Sequence, residues 1–298
     1  MNIASLSAQF RTWWRKQTPH RQDRFALLGP IVSVLLFLIV ILASFAYLRL
    51  EEIDREQESI KRDVEYAQQN LRLRLLDRQE EFQRLARDIA SNDINNDSFI
   101  AQAEDLISKH PELHAVSWID NKQKVIATYT VASAINTQIR REGDKLNQRE
   151  SASGYALVKD SSGPVYAHTI TTDNAGVLPI LQVFVPIQDH GRFAGLILGE
   201  YSIEGLLRFG VPSEINTKYA VTLINGKNSV LAGSAITPRY SITAALKLSR
   251  APYEYQLPVS PVGNDLLLRA QGYRTSLGLV GSALFWLAAA LSVLTVWM

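Results

Sequence analysis

Ala115-Val-Ser-Trp-Ile-Asp120, the turn-forming Asn121-Lys122, then Val125-Ile-Ala-Thr-Tyr129: here the chain changes its period from helical to two-residue alternation. Two short runs rich in β-branched and aromatic residues, joined by a polar turn, predict a hairpin. Strand character returns at Val165–Ile170 and again in Leu181-Gln-Val-Phe-Val185. It turns at Asp189-His-Gly-Arg192 and runs on through Phe193–Tyr201. Five strands with helices before and between them define an α+β fold with an antiparallel sheet. Residues 131–160 are mixed and read as helical in parts, with Gly143 and Gly154 as interruptions.

Upstream, Arg49–Ala90 holds no Gly or Pro and is rich in Glu, Gln, Arg and Leu, a helix-forming composition. Leu50, Ile53, Gln57, Ile60, Val64, Ala67 and Leu71 recur at spacings of three and four, followed by Leu75, Phe82, Leu85 and Ile89, with Arg78 in the gap. The two steps of four from Ala67 to Leu71 to Leu75 form a stutter. This stripe has two readings: a seam with a second copy in a homodimer, or a face packed on the chain's own domain. Gln57 and Arg78 weaken the first. A shorter helix through Phe99, Ala103, Leu106 and Ile107, capped by Asp97 or Ser98, should end at Pro111.

Downstream, Ser202–Phe209 reads as a short helix ended by Gly210 and Pro212. A second set of elements follows: Tyr219–Ile224, a turn at Asn225-Gly226, Ser229–Ala232, a helix at Ser241–Leu248, and strands at Tyr253–Val259 and Leu266–Ala270. Asn-Gly between apolar runs is a strong hairpin signal. This is a smaller copy of the first order. Val116-Ser-Trp-Ile-Asp120 and Val221-Thr-Leu-Ile-Asn225 are weak internal repeats of one another.

The 298 residues balance 31 Lys+Arg against 29 Asp+Glu, which gives no electrostatic case for nucleic acid. No charged residue occurs in Phe25–Leu48 or in Ser276–Met298, and about 20 apolar residues cross a bilayer as a helix. Two transmembrane helices are therefore expected in a lipid bilayer. Arg11, Arg15, Lys16, Arg21 and Arg24 precede the first run against a single Asp23, which holds residues 1–24 in the cytoplasm. A cleaved signal peptide fits less well, because the run is long and no A-x-A-like site follows it. Residues 49–275 are then extracytoplasmic in a multi-pass protein of the inner (plasma) membrane. The sequence closes at Met298, directly after the second run, so a fragment lacking a cytoplasmic output domain is expected.

No catalytic motif is legible. Cysteine is absent, which excludes thiolate metal sites and disulfides. His110 and His114 have metal-ligand spacing, but Pro111 lies between them and no third ligand is near, so structural histidines are the better reading. The serines near His168 and His190 lack a G-x-S-x-G elbow, and no phosphate-binding loop occurs. No cofactor is expected. A small-ligand pocket is better founded. Alternation in Val165-Tyr-Ala-His-Thr-Ile170 puts Tyr166, His168 and Ile170 on one side. Across the sheet Trp118 and Tyr129 offer amphipathic rings, while Arg140 and Tyr155 lie in the stretch that should cover it. These six are the candidate ligand-binding residues; the alternative is that the aromatics are core.

Three phrases carry a resemblance: Leu106-Ile-Ser-Lys-His-Pro-Glu-Leu113, Val116–Asp120, and Phe193-Ala-Gly-Leu-Ile-Leu-Gly-Glu-Tyr-Ser-Ile203. With the order of elements, they resemble the extracytoplasmic double-Cache (tandem PAS-like) sensor region of bacterial transmembrane receptors. The resemblance implies residues 49–91 as a long membrane-proximal helix, 92–205 as a larger membrane-distal PAS-like unit and 206–275 as a smaller membrane-proximal one. It also implies a sensory input module of a dimeric receptor, binding a small molecule outside. The parent would most often be a two-component sensor histidine kinase, or a diguanylate cyclase or chemoreceptor. The amino-acid-binding signature of the family finds no match, so no ligand class follows from it. A membrane-anchored envelope scaffold without a small ligand is the competing expectation.

Overall fold

The computed structural model describes residues 19–131, 140–146, 149–173, 176–234, 253–259, 265–272 and 290. The leader before residue 19, the helix expected at 241–248 and the run at 276–298 lie essentially outside them. The chain divides into two compact units, one of residues 58–273 and one of residues 1–57 with 274–298. In the second of these, the described part belongs to helix α1, Pro19–Ala90, where Leu35, Phe37, Val40 and Leu42 expose half or more of their surface. Among the described residues no helix is long and apolar enough to cross a membrane.

Residues 58–273 are α+β, with a long helix backing two antiparallel sheets. Helix α2, Asn96–Lys109, follows α1; its cap is Asn95, whose side chain accepts from Ser98 N at 2.8 Å, in place of the Asp97 or Ser98 expected. Strands β1 (Leu113–Asp120) and β2 (Val125–Thr130) make the predicted hairpin, and Asp120 Oδ1 closes its turn by accepting from the amides of Lys122 and Lys124. Helix α3 (Arg149–Ser161) precedes β3 (Val165–Asp173), β4 (Gly176–Asp189) and β5 (Arg192–Ser202). The sheet order is β2-β1-β5-β4-β3. Gly154 does not interrupt α3 but lies within it, where a Cβ would sit 2.4 Å from the Phe184 ring. His190 and Gly191 form the turn between β4 and β5, both at positive φ, the mark of a tight turn whose twist matches the strands.

Helices α4 (Ile203–Gly210) and α5 (Ser213–Lys218) lead to β6 (Tyr219–Ile224), β7 (Val230–Gly233), β8 (Glu254–Pro258) and β9 (Leu267–Gly272). Their order is β7-β6-β9-β8. The hairpin at Asn225-Gly226 forms by another device than the two-residue turn that pair usually makes. Asn225 Oδ1 accepts from the amides of Lys227 and Ser229, and Asn228 takes the positive φ.

The apolar stripe of α1 is turned inward. Ile60, Val64, Ala67, Leu71, Leu75, Phe82, Leu85 and Ile89 are all buried in one core with both sheets. The stutter is present in that burial, which follows Ala67, Leu71 and Leu75 in consecutive steps of four. Residues 59–71 back the smaller sheet: Ser59 Oγ meets Tyr219 OH at 3.1 Å, and Gln68 donates to Pro258 O at 2.9 Å. Residues 75–89 back the larger one, with Phe82 seated on Gly199, where a Cβ would lie 2.7 Å from the ring. From Ile60 to Ile89 the expected homodimer seam is thus corrected: the chain's own sheets occupy that part of the stripe, because β1, β4, β5, β6 and β9 each present an apolar face that needs the same cover.

Candidate functional site

The larger sheet has two faces of different chemistry. Alternation along β1, β4 and β5 turns Val116, Leu181, Val183, Val185, Ile197 and Tyr201 toward α1 and α2. The opposite, outer face carries Ile119, Phe184, Leu196 and Leu198, covered by Tyr155 and Val158 of α3 and by Leu146. That alternation then places polar residues where apolar ones would be expected. Ala115, Glu200 and Gln182 are cross-strand neighbours in one row of the outer face, and Ser117 stands in the next row beside Leu198.

Glu200 is the centre of this row. It is 8% exposed, and a buried carboxylate of this kind requires charge compensation. Arg140 supplies it through two guanidinium contacts: Nη2 donates to Oε1 at 3.0 Å and Nη1 to Oε2. The Gln182 amide, fully buried, donates to Oε1 at 2.8 Å. Ser117 and Thr128 hydroxyls meet at 2.8 Å. His114 stands at an irregularity of β1 between Leu113 and Ala115. Burial lowers its pKa below the usual imidazole value, and the nearby Glu200 charge partly opposes that. The result is an electrically balanced polar patch in an otherwise apolar layer.

The six residues expected at a site are divided between the faces. Arg140 and Tyr155 lie on the outer one; Tyr155 donates to Asp120 O at 3.2 Å and packs edge-on to Phe193. Trp118, Tyr129, Tyr166 and His168 belong to the face toward the helices. Trp118 packs on Phe99 of α2 with ring centroids 5.9 Å apart, and Tyr129 OH reaches Glu104 at 3.3 Å. Tyr166 is buried, with its hydroxyl 3.2 Å from Leu75 O and 3.1 Å from Gln79 Oε1 of α1. That burial pushes its pKa far above the usual phenol value. His168 follows Tyr166 by two residues on the same side, opposite Leu181. The six therefore do not form one pocket. Trp118 and Tyr166 tie the sheet to its helices, as the core reading had it. Sequence reasoning missed Glu200, Gln182, Ser117 and Thr128. For Glu200 and Gln182 a signal was available: a charged or amide residue at an apolar-parity station inside an apolar strand. A separate open cavity of about 190 Å³, lined by Gln83, Ala86, Arg87, Pro164 and Val185 among others, lies between α1 and β4 and holds no comparable charge pair.

A long helix backing a five-stranded and a four-stranded antiparallel sheet is a fold shared with solved bacterial chemoreceptor domains. The sensory domain of the Campylobacter jejuni chemoreceptor Tlp3 with isoleucine bound has a TM-score of 0.51 at 12% identity, covering 76% of this chain and 95% of that one. The same domain in a second structure gives 0.51 at 13%, covering 76% and 96%. Its complex with L-valine gives 0.50 at 11%, covering 77% and 97%. At these identities the likeness is one of fold. No family model and no curated protein sequence matches the chain.

Proposed function

We propose that residues 49–275 are the signal-sensing input module of a dimeric transmembrane receptor of the inner membrane. On this reading the module lies outside the cytoplasm between spans at 25–48 and 276–298. It reports to a cytoplasmic output domain beyond Met298, foremost a two-component histidine kinase. The ligand is a small zwitterion seated on the outer face of the larger sheet. The observation that carries this is the buried Arg140–Glu200–Gln182 row. Two opposite charges held against each other present no net charge, but they offer a carboxylate to a ligand ammonium and a guanidinium to a ligand carboxylate. Such a ligand exchanges one internal pair for two charge-assisted pairs. The amino acids named with the Tlp3 structures have that chemistry. Of the six residues first considered, Arg140 keeps a direct role and Tyr155 a place in the wall. Trp118, Tyr129, Tyr166 and His168 would act only through the packing of the sheet on its helices.

The test is a melting-temperature screen of the full chain in detergent against the twenty common L-amino acids. A ligand at a hundredfold its Kd contributes about 2.7 kcal/mol, a rise of roughly 5–10 °C for a unit of this size. Glu200→Gln keeps the shape and should weaken the binder about 10- to 100-fold, the worth of a charge-assisted hydrogen bond. A chain that no amino acid stabilises, or a binder indifferent to Glu200→Gln, refutes this site and favours the scaffold reading. A homodimer would use the other face of α1, where Tyr66 and Leu73 are exposed. Single cysteines there should crosslink while those at Ile60 and Val64 should not, and the reverse pattern would restore the original seam.

A further inference from the structure

One row on the outer face of the smaller sheet repeats one row on that of the larger. Strand order β2-β1-β5-β4 in one sheet corresponds to β7-β6-β9-β8 in the other. In the larger, Ala115, Glu200 and Gln182 are neighbours across β1, β5 and β4. In the smaller, Ala220, Gln271 and Glu254 are neighbours across β6, β9 and β8. Each row therefore holds an alanine, a carboxylate and a carboxamide, and in each the carboxamide donates to the carboxylate. Gln182 Nε2 reaches Glu200 Oε1 at 2.8 Å, and Gln271 Nε2 reaches Glu254 Oε2 at 3.1 Å. One row further, the hydroxyl residues Ser117 and Thr222 occupy the same station, and both are buried.

The arginine is repeated as well. Arg269 Nη1 lies 3.6 Å from Glu254 Oε1, and its Nε donates to Thr222 Oγ1 at 3.3 Å. Arg269 is 8% exposed, and arginine is almost never buried to that extent unless its charge is paired, here with Glu254. Sheet stability does not call for it, since an apolar side chain at such a station is commonly as stable as a buried ion pair. The opposite face of the same strands uses apolar residues, Val221, Leu223, Leu268 and Ala270. Two differences between the rows are informative. Carboxylate and carboxamide have exchanged strands, which moves the negative charge one strand spacing, about 4.8 Å, toward the sheet edge. The guanidinium comes from the sheet itself, and the Glu254 side chain is 39% exposed against 11% for Glu200. The second row is shallower and more open to water.

We propose that the outer face of the smaller sheet is a second binding site for a small zwitterion, with Glu254 taking the cationic nitrogen and Arg269 the anionic group. The inference rests on the reading of the Arg140–Glu200–Gln182 row as a ligand site and extends its chemistry to the other sheet. The shallower row binds more weakly, so occupancy of the two sites separates along the concentration axis. One module would then respond over a wider range of ligand than a single site allows.

The experiment is calorimetric titration of the full chain in detergent with each of the twenty common L-amino acids, read together with amide hydrogen exchange. Two ligands per chain are expected, the weaker step accompanied by slowed exchange in residues 267–272. Glu254→Gln should weaken that step about tenfold or more, the size of one charge-assisted contact, and leave the tighter step within about twofold, as for a distant site. Glu200→Gln should do the reverse. Thr222→Val, which removes one hydroxyl at nearly constant volume, is a second variant for the weaker step should Glu254→Gln not fold. One ligand per chain, or a weaker step that ignores both substitutions, overturns the second site while leaving the first. Failure of every amino acid to bind overturns both.

Discussion

Phe82→Ala is the sharpest test of how α1 meets the larger sheet. The Phe82 side chain is 1% exposed, and its ring fills the space above Gly199, where an added Cβ would lie 2.7 Å from Cε2 and Cζ. Truncation removes the ring from a core that can collapse only in part, at a cost of about 3–5 kcal/mol. Gly199→Ala acts from the other side. Its methyl meets the ring and also Val183 Cγ1 at 2.9 Å, an overpacking worth about 1–3 kcal/mol. With the ring gone, two of the three close contacts vanish and the methyl enters the space left behind. The double variant should therefore cost less than the sum of the singles by about 1–2 kcal/mol. The assay is unfolding of the full chain in detergent, followed by far-ultraviolet circular dichroism for wild type, both singles and the double. Phe82→Ala alone should lower Tm by roughly 6–20 °C for a unit of this size. Additivity within about 0.5 kcal/mol would refute the packing. A near-neutral Phe82→Ala would show that the stripe of α1 faces another molecule instead.

Three further outcomes are expected. Tyr166→Phe should cost about 1 kcal/mol of stability, through the lost contacts to Leu75 and Gln79, and leave ligand affinity unchanged; a loss of affinity at unchanged stability would return Tyr166 to the binding site. His110 is held below the usual imidazole pKa by burial and then by Arg78, against the opposing pull of Glu81 and Glu112. His114 is lowered likewise, so the folded state binds fewer protons than the unfolded one. That stability is complete above a pH of about 6.5 and is lost as pH falls through it toward the folded pKa. Tm should drop between pH 7 and 5.5, and His110→Asn should flatten part of the drop; a Tm rising on acidification contradicts this. A reporter enzyme inserted at Gly163 should be active only outside the cytoplasm, and activity inside would reverse the topology.

The hairpins at 113–130 and 176–202 were legible because alternation, turn residues and strand length agree there. The partner of the α1 stripe was not, since a sheet and a second helix demand the same apolar spacing from a helix. The candidate site was half legible for a related reason. Alternation says which residues share a face of a strand, and it placed Tyr166 and His168 together correctly. It does not say which face the preceding helices cover. α1 and α2 took the side of Trp118, Tyr129 and Tyr166, while α3 and Arg140 took the other. Large aromatics drew attention to the packed side, whereas the ion pair lies on the side where Glu200 and Gln182 interrupt apolar strands. The weak repeat of 116–120 at 221–225 proved the more far-reaching sequence signal, because Ser117 and Thr222 fix the correspondence of the two outer faces.

A helix that backs both sheets also sets a timetable for biosynthesis. Ile60 and Val64 leave the ribosome early, but Leu268 and Ala270, which share their core, follow about 200 residues later, some 10–40 s at ordinary elongation rates. Until then the helix must persist with one flank bare. Its composition suits that wait: the solvent side carries close-spaced ion pairs such as Glu51 with Arg55 and Lys61 with Glu65, which favour the helical state before any tertiary partner exists. The larger sheet is synthesised before the smaller one and can claim residues 75–89 first, leaving residues 59–71 as the last uncovered flank. Damage to β8 or β9 would then release an otherwise finished chain with that flank exposed, so truncations near residue 250 should be removed by chaperones and proteases rather than accumulate half-active.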